Sequence, residues 1–359
     1  MDFSLAVLLA AFAGGCLGAL CGALIAFALT GAIVLLGVGV ALAGGDVDVL
    51  GTVAFGPVFG PHVAFAGAVA AVAYAARRGY VESGRDIATP LASLGRPDPI
   101  VVGGLFGVGG YAVQQLLAEL LAKSDGTGAY TDTVALAVVV SALAARFAFG
   151  STGLLGARPT RRARPPMAGG SQEADLAFAD ESSGVAAEEA ERVAGASPRA
   201  IDDAGGAVDG VRGRAEAPAE WVPWQRAWSQ AALLGLVSGV AAAWALATVA
   251  EVDAAYAGAG TLVGFGVSAS LLALLVVGAS VPVTHHMTLP AAVAAGFVIA
   301  AGGTALAAIA VGALCGVLGA LLGEACARVF LIHGDTHIDP PAIAIALMTT
   351  AIVLTDLAL

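Results

Sequence analysis

Two stretches of this chain are too long and too apolar to be single helices of a globular domain. Residues 3–42 carry no charged side chain, and residues 289–331 carry only Glu324 and Arg328. Wound as one helix, either would extend about 60 Å, roughly twice the hydrocarbon core of a bilayer. Each is therefore expected to form two helices. The first pair should turn between Gly22 and Gly31, the second at Gly302-Gly303. Lipid offers no partner for backbone N–H and C=O groups, so runs of this kind are expected to fold as a helical bundle.

Composition agrees. The chain has 359 residues, 58% hydrophobic and 12% charged, with a mean hydropathy of +0.89; soluble domains carry about 25% charged residues. This excludes a secreted disulfide scaffold, a disordered regulator and a basic nucleic-acid binder, so no nucleic-acid partner is expected. Acidic residues outnumber basic ones, 27 against 16, for a net charge of -11, and Lys123 is the sole lysine. Lysine depletion with excess acid fits a salt-adapted, GC-rich microbe, a haloarchaeon first among them. Cys16, Cys21, Cys315 and Cys326 lie in apolar stretches without CxxC or Cys-His spacing, and read as small buried hydrophobes. Met1-Asp2-Phe3 lacks the basic start of a secretory signal, and the following run is too long for one, so it reads as mature membrane-embedded chain.

Charged and turn-forming breaks mark further spans at 52–76, 100–122, 133–150, 227–250, 258–281 and 340–358. With the two pairs, the expected fold is an all-α integral membrane protein, a polytopic bundle of about ten transmembrane helices, nine being the alternative count. Residues 151–225 change character to Pro, Gly, Ser, Asp, Glu and Arg, and read as a disordered linker. Residues 1–150 and 226–359 then form an N-terminal and a C-terminal half of five helices each. Trp221, Trp224 and Trp228 mark re-entry, as in an interfacial aromatic belt.

Basic residues set the orientation. Arg77, Arg78, Arg85 and Arg96 flank one loop, and Arg146, Arg158, Arg161, Arg162, Arg164 and Arg226 flank the linker. The loops expected on the opposite side hold Lys123 among acids. The positive-inside rule makes the 77–99 loop and the linker cytoplasmic in a cell-membrane protein. A short internal match supports duplication: Gly18–Leu24 and Gly312–Leu318 agree at six of seven positions. Ala, Gly, Leu and Val make such matches easy, and the two segments sit at different places in their halves.

No phosphate loop, HExxH or GxSxG motif is present. The most informative segment is Gly56-Pro57-Val58-Phe59-Gly60-Pro61-His62, two Gly-Pro pairs inside the third span. Proline lacks an amide hydrogen and clashes with the carbonyl four residues back, so the helix should break there. Broken helices point to transporter binding sites, and His62 exchanges a proton near neutral pH. A plain kink is the structural alternative.

The other polar segments are His285-His286, expected in the loop after the seventh span, and His333 to Asp339, expected before the tenth. Pro57, Pro61, His62, Gln114, His285 and His286 are the candidate binding or gating residues. His333, Asp335, His337 and Asp339 are candidate ligands for a divalent transition metal, the one cofactor the residue types suggest. Glu119, Glu324, Arg328, Asp356 and Arg146 are expected to snorkel or cap near helix ends.

These readings favour a permease, passive or proton-coupled, for a small solute or ion. Its partners would be the bilayer, the solute and, if it self-associates, further copies of itself. A membrane-embedded metal-dependent enzyme and a non-catalytic scaffold using the linker are the alternatives.

Overall fold

The computed structural model describes residues 1–126, 128–156 and 222–356. Apart from its two ends, the expected linker, with its disorder, lies outside the described residues. Among these the chain is all-helical, without a strand.

The helices are α1 (Leu5–Cys21), α2 (Ala23–Leu42), α3 (Ala64–Arg77), α4 (Pro97–Leu120) and α5 (Thr133–Phe149), followed by α6 (Trp228–Val252), α7 (Ala257–Leu271) and the short α8 (Ala273–Val276). The chain ends with α9 (His285–Ala300), α10 (Ala305–Cys326) and α11 (Pro340–Asp356). The first apolar stretch divides at Gly22, whose φ of 87° is open to glycine and costly for other residues. The second divides at Gly302, with φ 78°. Asp132 and Thr304 start α5 and α10 by accepting from the amides of Ala135 and Ala307.

Five segments are long and apolar enough to cross a membrane: Ala23–Leu42, Pro97–Leu120, Trp228–Val252, Ala254–Val276 and Ala305–Leu331. Five shorter apolar helices accompany them: Leu5–Cys21, Ala64–Arg77, Thr133–Phe149, His285–Ala300 and Pro340–Thr355.

The expected single span over 52–76 is in fact two pieces. A π-helical turn covers Leu50–Ala54, and α3 starts only at Ala64. Between them the chain turns through both Gly-Pro pairs, where the missing proline amides remove helical bonds. The hydroxyl of Thr30 donates to the Phe59 carbonyl at 2.6 Å, supplying a partner inside the break.

Glycine permits backbone-to-backbone packing in two places. Gly15 of α1 packs on Gly103 and Gly107 of α4, and a Cβ on Gly103 would sit 2.8 Å from the Ala19 side chain and the Gly15 carbonyl. Gly239 of α6 packs likewise on Gly312 and Gly316 of α10, where Gly312 faces Ala243. Gly67 of α3 and Ala291 of α9 complete the two contacts. Further along, Gly110 lies against the His62 carbonyl and Gly319 against the His286 carbonyl. Thus 11, 15 and 19 with 103, 107 and 110 are matched by 235, 239 and 243 with 312, 316 and 319. The short match between Gly18–Leu24 and Gly312–Leu318 is corrected by these contacts: Gly312 occupies the place of Gly103, whereas Gly18 lies on the backbone of Ala64.

Helices α2 and α7 pack together, as do α5 and α11, and these contacts join the first five helices to the later ones. The core between them includes Phe27, Phe65, Phe265, Leu289 and Ile345.

Candidate functional site

A cavity of about 420 Å³ lies within this core, inside the roughly 300–1,000 Å³ range of small-molecule pockets. Its walls are mainly apolar. Phe27, Phe55, Phe65, Phe265 and Trp224 supply aromatic faces. The ionisable side chains lining it are Asp132, His285 and Asp339, and no Lys or Arg is among its lining residues.

The two carboxylates hold matching positions. Asp132 precedes α5 and accepts from the Ala135 amide at 2.8 Å; Asp339 precedes α11 and accepts from the Ala342 amide at 2.8 Å. Their surroundings differ, because His337 Nε2 lies 3.2 Å from the second oxygen of Asp339. Val134, Ala135 and Val138 follow Asp132 along the wall, and Pro341, Ala342 and Ile345 follow Asp339 at the same spacing. Pro61 and Phe65 come from the start of α3, His285 and Leu289 from the start of α9.

His285 and His286 correct the sequence reading. They open α9 instead of lying in a polar loop, and they are 4% and 0% exposed. Pro282 keeps the preceding residues out of helix, and the Thr284 carbonyl accepts from the amides of Met287 and Thr288. Pro290, the sixth helical residue, lies past the amides that lack partners and frees the His286 carbonyl, against which Gly319 packs. The extended segment before α9 is held by the turn after the linker. Gln225 bonds both the amide and the carbonyl of Val283 at 3.0 Å, and the Trp224 indole donates to the Val281 carbonyl. His285 lines the cavity with its Nδ1 unpartnered, and its ring lies tilted against that of Phe27, centroids 4.8 Å apart.

The other candidates fall elsewhere. His62 is 1% exposed beside Tyr111, behind Pro61 and outside the cavity lining. Pro57 lies in the same turn without reaching the cavity. Gln114 donates to Thr133 at 3.3 Å and accepts from Gln115, which occupies it between helices. His333, Asp335, His337 and Asp339 do not converge. Asp335 bonds Ser151 and Thr152, while His337 pairs with Asp339. Among the described residues no group of three or more His, Cys, Asp or Glu side chains could hold a metal ion.

Arg146 is the polar residue that sequence reasoning most misjudged. It does not snorkel: it is 1% exposed. Its guanidinium donates to the Thr336 hydroxyl at 2.9 Å, to the Phe330 carbonyl at 2.6 Å and to the carbonyls of Leu154 and Thr336. Gly334 lies flat on the guanidinium, where a side chain would collide. Arg85 donates to the Ile332 carbonyl beside it, and Gly84 bridges Thr336. The 77–99 loop, the end of α5 and the 332–339 loop thus meet at one end of the bundle.

The model of a family of unknown function, DUF7973, matches residues 1–358. The chain belongs to the DUF7973 family. No curated protein and no solved structure matches it. In this DUF7973 chain the candidate site is therefore defined by its own geometry: a largely aromatic and apolar cavity without Lys or Arg among its described lining residues, with a carboxylate from each helix set.

Proposed function

We propose that the protein is a polytopic membrane permease for a small solute, with ten spans in two five-helix halves and the solute held in the cavity between them. The observation that carries this reading is the cavity lining. It is built from residues at matching positions of α3 and α9 and of α5 and α11, the construction expected of a duplicated transporter with its site at the repeat interface. The break between Gly56 and His62 supports it by ending α3 beside the cavity at Pro61.

Membrane residence is supported by the outer surface. Leu105, Phe147, Trp244, Leu306 and Leu314 all stand well exposed, on four different helices. A water-soluble monomer rarely presents apolar surface on so many sides. The basic residues at the end where Arg85 meets the 332–339 loop support a cytoplasmic position for that end under the positive-inside rule.

Reconstitution into liposomes tests the function. Efflux of preloaded small organic solutes should exceed that of protein-free vesicles, and Phe65→Trp, which intrudes on the cavity, should reduce it at least tenfold. Fluxes equal to protein-free vesicles across neutral, cationic and anionic solutes would overturn the reading.

A further inference from the structure

We propose that the ligand of this cavity is a protonated amine carrying an apolar, preferably aromatic, body; the proposal rests on the permease reading and names its substrate class. Charge is the first argument. Asp132 and Asp339 face the cavity, no Lys or Arg lines it among the described residues, and the basic side chains acting on Asp339 are His337, 3.2 Å away, and His285. Each carboxylate sits at a helix start, where the aligned peptide dipoles favour its ionised form. Burial opposes this and raises Asp132, whereas at Asp339 burial is outweighed, by the His337 bond foremost, and the carboxyl is lowered. An anionic solute would meet like charge in a low-dielectric space, whereas an ammonium would gain attraction there.

The walls give the second argument. Phe27, Phe55, Phe65, Phe265 and Trp224 surround the space. Aromatic faces attract cations through their quadrupoles and accept an apolar body without polar loss. An inorganic cation would need a shell of several oxygens, which two carboxylates and apolar walls do not offer.

His285 gives the third. It lines the cavity, is 4% exposed, and its Nδ1 has no partner. Leaving a buried imidazole nitrogen unpaired is costly, and the N–H groups of an ammonium are donors of the right kind once the ring turns its closed-off Nδ1 toward the cavity. A primary or secondary ammonium fits this better than a quaternary one, which has no N–H to donate.

Equilibrium dialysis of the full chain in lipid nanodiscs tests the assignment with three probes of one shape: 2-phenylethylammonium, 2-phenylethanol and phenylacetate. The ammonium should bind saturably, at least tenfold more tightly than the alcohol, with phenylacetate unbound. The double variant Asp132→Asn, Asp339→Asn keeps both helix caps, since Asn caps as well as Asp. It should lose at least tenfold in ammonium affinity while binding the alcohol as before. If the alcohol binds as tightly as the ammonium, or the variant keeps its ammonium affinity, the amine assignment falls and the solute cavity stands. If none of the three probes binds saturably, the amine assignment and the cavity reading both fall. Should the variant fail to fold, the ranking of the three probes on the unaltered chain decides.

Discussion

Arg146 shows how one side chain ties distant parts of the chain. Its donors reach Thr336, Phe330 and Leu154, and the guanidinium itself is withdrawn from water. Arg146→Met would leave those acceptors unpaired and should cost about 3–5 kcal/mol. Arg146→Lys should rescue little, because one ammonium cannot reproduce the planar fork. Thermal unfolding in detergent measures both, and full stability of the lysine variant would count against the bonding described. Asp335 lies at the same end. Burial works to raise its carboxyl, but hydrogen bonds from Ser151 and Thr152 outweigh that and hold it below the usual carboxylate value. A carboxyl lowered by folding adds stability that is complete above the unfolded value near pH 4 and is lost as pH falls through the folded one. The stability gap between the protein and Asp335→Asn should therefore be constant above about pH 5 and shrink below about pH 4. A gap that widens on acidification would contradict it. Neither role was legible in sequence, since an arginine near a helix end ordinarily reaches solvent, and its acceptors on Thr336 and Phe330 lie almost two hundred positions away.

At the scale of elements, small residues decide where helices meet. A Cβ on Gly103 or Gly312 would enter the neighbouring helix, whereas one on Gly109 or Gly258 meets nothing within 4 Å. Gly103→Val and Gly312→Val should each destabilise by about 1–3 kcal/mol, or more where the helices cannot separate. Gly109→Ala should be neutral or better. Equal melting temperatures across the set would remove close packing as the cause. The break before α3 yields a second expectation. A side chain at Gly60 would press on the His62 ring and on the Gly56 carbonyl. Gly60→Ala with Pro61→Ala should therefore reduce solute flux at least fivefold while the protein still folds; unchanged flux would separate the break from transport. This break was readable, because two prolines remove helical bonds wherever they fall. The start of α9 was not. His285-His286 looked like loop, since polar residues after Pro282 resemble a connector, and the anchoring Gln225 lies 58 positions before Val283, ahead of α6.

For the whole molecule, long apolar runs revealed the helical class and most boundaries, because helix length and hydropathy are local properties. The cavity was hidden, because Asp132 and Asp339 look like ordinary caps until α5 and α11 are placed together. Topology is open to a direct test. Single cysteines at Glu82 and Ser151 should label from the cytoplasmic side of intact cells' membranes, and one at Asp253 from the other. Labelling of Glu82 and Asp253 from the same side would overturn the orientation.

The unequal company of the two carboxylates has a consequence for direction. Asp339 carries an imidazole, while the matching place before Asp132 holds Tyr130. Under the proposed permease reading, two otherwise similar ends would grip the same cargo with different strength. A passage of that kind behaves as a rectifier in its kinetics: at equal concentrations net flow is zero, but saturating cargo from one face and then the other gives unequal maximal currents.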